Sequence, residues 1–293
     1  MPNKRNRGRF RRFAFAATAL GAFAVLAAAC SLAGMQTEPN EMLKQTISGL
    51  SGTDDFLFEG TTSVSVGGLP LQEGITFQGV VTGHNRLSMT FDRSGGGGAA
   101  MLGTDRERTE APIVFSRKEN EWVLAEADSE ESANMLLPWS PLYKLEQLNT
   151  MDKQVAGVRD DAENRLTVLT VTPAATETTE AVRKQLSRQA GVLDTDKKLA
   201  DLRAKHGLSE REAARMKDEL DQNVQKTKRL LEEANGSLQA SSVYRIWVDR
   251  VNRLPQKMQV ETEMTYNADG RTKRETTRID YRFTGYRHRT NGT

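Results

Sequence analysis

The chain has 293 residues, enough to bury a core of domain size, and its 41 Lys and Arg against 39 Asp and Glu leave it nearly neutral. Six of the basic residues crowd into the first twelve positions, so the remainder carries 35 basic against 39 acidic residues and no electrostatic footprint for nucleic acid. Ten Phe, three Trp and 37% hydrophobic residues exclude a disordered chain, and one cysteine excludes a disulfide framework.

The first segment is a targeting signal. Residues 1–12, MPNKRNRGRFRR, are basic; residues 13–29, FAFAATALGAFAVLAAA, carry no charge; and Ala27, Ala28 and Ala29 lead into Cys30. A basic stretch, an apolar run and small residues at the cut are the parts of a secretory signal. With cysteine at the cut, the segment resembles the lipobox of bacterial lipoproteins. That resemblance implies diacylglyceryl transfer to Cys30, cleavage before it, and attachment to the membrane. The other reading is an uncleaved signal anchor, whose 17 apolar residues lie at the short limit for a bilayer span. In both, the Lys and Arg cluster holds the N-terminus inside and the rest lies outside the cytoplasm. The expected division is a signal peptide over 1–29, a lipidated cysteine and tether over 30–40, a main domain over 41–286 and a polar tail over 287–293.

Thr37 and Pro39 offer a cap and an early-helix proline, and Met42, Leu43, Ile47 and Leu50 follow at helical spacing. From Asp55 the period changes to two. Phe56 and Phe58, then Ile75, Phe77, Gly79 and Val81, then Leu87, Met89 and Phe91 alternate with polar residues, with Gly67-Gly68 and Gly83-His84-Asn85 as turns. Residues 113–126 read as a further hairpin turning near Glu119-Asn120, completing an antiparallel meander with one apolar face. Ser140 and Pro141 start a helix whose stripe is Leu142, Leu145 and Leu148, and a strand around Arg165 to Val171 follows. Residues 174–240 change character: many charges, few aromatics, helical period. Ser209 and Glu212 form a capping box, Ala213, Met216, Leu220, Val224, Thr227, Leu231 and Ala234 recur at three and four, and Asn235-Gly236 stops the run. Three long strands close the chain, over 244–250, 254–266 and 274–286, making nine or ten in all. The expected fold class is α+β, mainly β: an antiparallel half-barrel sheet with covering helices and a helical insertion.

Catalytic and metal signals are thin. His84 falls in a turn, His206 at a helix end and His288 in the tail, with no ligand spacing among them. Gly95 to Gly98 lacks the Lys-Ser/Thr of a phosphate cradle. Asp54-Asp55, Glu130-Glu131 and Glu232-Glu233 are adjacent pairs whose side chains point apart, which makes them solvated charges and not acid and base partners. The expectation is a non-enzyme without metal or cofactor.

The stretch YRIWVDRVNRLPQKMQVE, with Trp247, Asp249, Leu254 and Pro255, resembles the LolA-like half-barrel family, and the likeness extends over 41–172 and 241–286. It implies an incompletely closed sheet with an apolar groove plugged by helices. The groove candidates are Phe56, Phe58, Phe77, Met89, Phe91 and Trp247, and the implied role is binding or presenting a lipophilic ligand or a lipoprotein at the envelope. Two alternatives stand beside it: the same residues as a filled core, and the insertion helices as a dock for an envelope enzyme, receptor or sensor.

Overall fold

The structure, a computed structural model, describes residues 38–70, 74–92, 112–119, 121–125, 136–160, 162–163, 165–190, 199–200, 203–204, 207 and 209–287. The expected signal segment over 1–29, Cys30, the Gly95 to Gly98 run, Glu130-Glu131, His206 and His288 lie outside them.

Helix α1 (Pro39–Ser51) starts at its proline and buries Met42, Leu43, Ile47 and Leu50, the stripe its spacing predicts. The first meander is β1 (Asp55–Val66), β2 (Leu69–Pro70), β3 (Ile75–Thr82), β4 (Arg86–Asp92), β5 (Ile113–Lys118) and β6 (Glu121–Leu124). A 3₁₀ turn (Leu137–Trp139) then leads into α2 (Pro141–Thr150), where Ser140 Oγ accepts from the Tyr143 N–H as the expected cap. Next come β7 (Lys153–Arg159), β8 (Leu166–Pro173), the helices α3 (Ala175–Ala190) and α4 (Glu210–Ser237), and the long strands β9 (Gln239–Asp249), β10 (Pro255–Ala268) and β11 (Arg271–Arg287).

Among the described residues all strands join one antiparallel sheet in the order β6-β5-β4-β3-β1-β11-β10-β9-β8-β7, with β2 on β1. The sheet is open, ending at β6 and β7. One meander leaves β1 toward one end. The chain then passes to the far end and works back, so that β11 lies beside β1 in the middle. The connection from β6 to β7 must therefore span the sheet. Its Leu136, Leu142, Leu145 and Leu148 are buried in one core with α1 and the apolar residues of both meanders.

Period two holds along the long strands: β3 alternates buried and exposed at every position. Three elements differ from expectation. The two-residue β2 and the end strand β7 carry no strand signature, β7 because KQVAGVR is exposed with little apolar alternation. Helix α4 runs through Asn235-Gly236 to Ser237, whose Oγ donates back to the Glu233 carbonyl while β9 begins two residues on. The 209–212 capping box is present as read, with both reciprocal bonds made. α3 lies against β9 and α4 against β10, with Thr179 Oγ1 accepting from the Ala240 N–H at 2.9 Å.

Candidate functional site

Five of the six groove candidates meet on the face that α1 and α2 cover. Phe56, Phe58, Phe77, Met89 and Phe91 are all buried there, in one cluster with Tyr281 and Phe283. Their rings touch in sequence. Phe56 lies 6.5 Å from Phe58 and 6.3 Å from Phe283, Phe77 lies 5.9 Å from both Phe91 and Tyr281, and Trp139 of the 3₁₀ turn sits 5.6 Å from Phe77 and 5.3 Å from Phe91. Such tilted and edge contacts each contribute about 0.5–1.5 kcal/mol beyond the area they bury. The layer is filled by its own side chains.

Two glycines let the rings lie down. Gly60 pairs with Phe77 across β1 and β3, and a Cβ there would stand 2.1 Å from Phe77 Cζ. Gly79 pairs with Phe58, and its Cβ would stand 2.2 Å from Phe58 Cζ. Each ring occupies the volume that a side chain on the neighbouring strand would need. The clue in sequence is a glycine at an apolar-parity position of each strand, but which ring it receives depends on the register.

The cover is fastened by few polar contacts. Tyr281 donates its hydroxyl to the Trp139 carbonyl at 3.1 Å, while within the sheet Tyr286 donates to the Pro255 carbonyl. Burial pushes the Tyr281 and Tyr286 hydroxyls upward, Tyr281 also through nearby Tyr244, and pushes Tyr244 up to about 12. All three therefore remain neutral donors at neutral pH. On α2, Glu146 meets Arg117 of β5 at 3.2 Å, and the guanidinium lies 5.8 Å above the Trp122 ring. Burial raises the Glu146 carboxyl while Arg117 opposes the rise. Half-buried Lys144 on the same helix is pushed down to about 8 by burial.

Trp247 is the sixth candidate, and the structure corrects it. β9 buries Tyr244, Ile246 and Val248, so Trp247 falls between them on the opposite, polar face beside Arg245. There it helps line a trough of about 830 Å³ with Glu59, Gln78, Lys257, Asp280 and Arg282. A second hollow of about 430 Å³ shares Lys257 and Arg282.

The other residues of the Trp-Asp-Leu-Pro segment build a turn. Buried Asp249 accepts through Oδ1 from the Val251 and Asn252 N–H groups at 2.8 and 3.2 Å and through Oδ2 from Arg165 Nε at 2.7 Å. Its own N–H donates to the Leu254 carbonyl at 3.0 Å. Three of the adjacent acids, Asp54, Asp55 and Glu233, also prove to be structural rather than merely solvated. Asp55 Oδ1 accepts from the Gly83 N–H, and Asp54 meets His84 at 2.8 Å. Glu233 accepts from the Asp269 and Gly270 N–H groups at 3.2 and 3.1 Å, tying α4 to the β10–β11 turn. The α4 stripe is buried at Ala213 and Ala234 and half-exposed at Met216, Leu220, Val224 and Leu231. Among the described residues no group of three His, Cys, Asp or Glu could hold a metal ion.

No protein-family model and no curated protein matches the chain. Solved structures similar to it include lipovitellin, in work describing its lipid–protein interactions, at 7% identity and a TM-score of 0.36 over 82% of this chain. The chain spans about a quarter of that one, 26% of its length. A LolA superfamily protein from Nitrosomonas europaea matches at 8% identity and a TM-score of 0.25 over 86% of this chain and 95% of its own. A DUF1329 family protein from Desulfovibrio piger matches at 10% and 0.27 over 88% and 96%. All three scores are below 0.5, and the functional reading rests on this chain's own geometry.

Proposed function

We propose that this chain is an envelope lipoprotein, anchored through Cys30, whose open sheet holds a lipophilic ligand without catalysing a reaction. The observation that carries the reading is the aromatic layer between an unclosed sheet and its covering helices. Phe58 and Phe77 lie over glycine floors, so once the cover lifts, swinging either ring away leaves volume against the sheet that no Cβ fills. An acyl chain replaces ring contacts there with contacts of its own, at little cost in buried area. The turn at Trp139 is the gate, since it covers Phe77 and Phe91 and its carbonyl takes the Tyr281 hydroxyl. The lipovitellin and LolA superfamily likenesses point the same way in name only.

The test is uptake of cis-parinaric acid by the delipidated full chain, followed by its fluorescence. Saturable uptake near one per chain is expected, faster in Trp139→Ala than in the parent. A folded chain that takes up no fatty acid, with or without Trp139, sinks the reading. Acylation is checked separately: the N-terminal peptide should carry the mass of diacylglyceryl on Cys30, and Cys30→Ser should release the protein from membranes.

A second reading is that α4 docks an envelope protein, favoured by the half-exposed Met216, Leu220 and Val224. Crosslinking from a photoreactive residue at position 220 in intact cells separates the two, since a lipid carrier of this design needs no protein partner there.

A further inference from the structure

The polar face of the sheet is built unlike an idle solvated surface. Cross-strand register places Thr90, Gln78, Glu59, Arg282, Lys257 and Trp247 in one row across six strands. At about 4.8 Å between strands the row runs about 24 Å. Beside it, Arg245 Nη1 donates to Gln259 Oε1 at 2.8 Å, Gln259 Nε2 donates to Asp280 Oδ1 at 2.7 Å, and Arg278 Nε meets Asp280 Oδ2 at 2.9 Å. That chain of bonds fixes the orientation of an amide and a carboxylate before any ligand arrives. Among the described residues, the side chains of Glu59, Gln78 and Arg282 make no hydrogen bond or ion pair, although Glu59 and Arg282 are opposite each other.

The trough they share measures about 830 Å³, within the range of ligand sites. Its lining charges cancel, Glu59 and Asp280 against Lys257 and Arg282, and two of them have partners at its rim: Lys257 lies 3.4 Å from Glu163 and Asp280 2.9 Å from Arg278. An anion or nucleic acid would want an excess of cations, and a lipid tail would want an apolar floor. What the surface offers instead is a line of hydroxyl, amide, carboxylate, guanidinium and ammonium groups, with one partly exposed indole at its end. A large aromatic face left partly in water on a polar surface is a stacking platform.

We propose that this trough binds an uncharged glycan chain. A pyranose ring stacks its C–H face on Trp247, and successive hydroxyls reach Lys257 and Arg282, Glu59, and the Gln259–Asp280 pair. The strand spacing is close to the rise from one β-1,4-linked sugar to the next, so each strand meets about one ring. The site is separate from the apolar layer, and lipid uptake does not depend on it.

The test is calorimetric titration of the full chain, in a detergent that carries no sugar, with β-1,4 tetrasaccharides of glucose, N-acetylglucosamine and mannose. At least one should bind with a Kd of about 0.1–1 mM and quench tryptophan fluorescence. Trp247→Ala and Asp280→Asn should each weaken it about tenfold or more, while Trp247→Tyr stays within about threefold. Asp280 lies on the exposed face, so its variant reports even if Trp247→Ala unfolds the chain. The proposal is overturned if none of the three sugars binds at about 5 mM, or if binding survives both variants unchanged. Binding of a sulfated polysaccharide in place of the neutral sugars overturns it equally, in favour of an anion site.

Discussion

Adding one carbon at Gly60 measures how tightly the aromatic layer is shut. In Gly60→Ala the new Cβ would stand 2.1, 2.4 and 2.8 Å from three atoms of the Phe77 ring. Reaching ordinary contact requires a ring displacement of about 1.3 Å, and the ring is hemmed by Phe91 at 5.9 Å, Trp139 at 5.6 Å and Tyr281 at 5.9 Å. Overpacking of this kind costs about 1–3 kcal/mol, and the severity of the clash puts this case near the top of that range. Replacing a strand glycine returns about 0.5–1 kcal/mol, which leaves a net loss of about 2 kcal/mol and a Tm lower by about 4–8 °C. Gly236→Ala is the control, because nothing lies within 4 Å of its added carbon. Being helical, it should gain about 0.5–1 kcal/mol. Phe77→Leu should restore room, so the double variant with Gly60→Ala should be more stable than the sum of the singles by about 1 kcal/mol or more. Calorimetric melting reads all four proteins. A Gly60→Ala melt within about 1 °C of the parent, or a cycle with no coupling, would refute the account of ring over glycine.

Three further outcomes are expected. Asp249→Ala strands two backbone N–H groups and Arg165 at once, so its urea midpoint should fall by the equivalent of about 3 kcal/mol, and Asp249→Asn should lose less because one acceptor remains; equal midpoints for both variants and the parent would contradict this. Glu233→Ala should speed hydrogen exchange at the Asp269 and Gly270 amides about fivefold with little change in Tm, since the contact is exposed and local; unchanged exchange would remove its assigned role. Lys144 is held at about 8 against an ordinary 10.5, so the folded state binds fewer protons than the unfolded one between those values and stability rises with pH across them. Lys144→Met should therefore melt higher than the parent at pH 7, with the difference closing as pH passes about 10.5, and a gain that persists above it would point to packing rather than charge.

Much of the apolar face can be read directly from the chain, because period two and burial are the same fact seen twice. Phe56, Phe58, Phe77, Met89 and Phe91 fall on one parity of their strands and meet on one face. Trp247, expected on the apolar parity of its strand with the other candidates, lies on the opposite one, because Tyr244, Ile246 and Val248 hold the buried parity and a one-residue offset is a change of face. Other features depend on partners distant in sequence. The clash that Gly60 avoids exists only once β1 and β3 are in register, and the Glu233 carboxylate meets a turn 36 residues further on. Lys153–Arg159 carries a strand only because β8 offers it an edge, since its own residues have little to bury.

The pairing of β1 with β11 sets the order in which this molecule can be assembled. These two strands are the seam between the meanders, and one of them ends at Arg287. As the chain is synthesised, the first meander waits with the β1 edge unsatisfied until residues 271–287 have been made. The assembly step is thus governed by β11 rather than by the strands made first. A nonsense change before Arg271 would leave two half-sheets with bare edges, prone to self-association, where the same loss from an edge strand would merely fray.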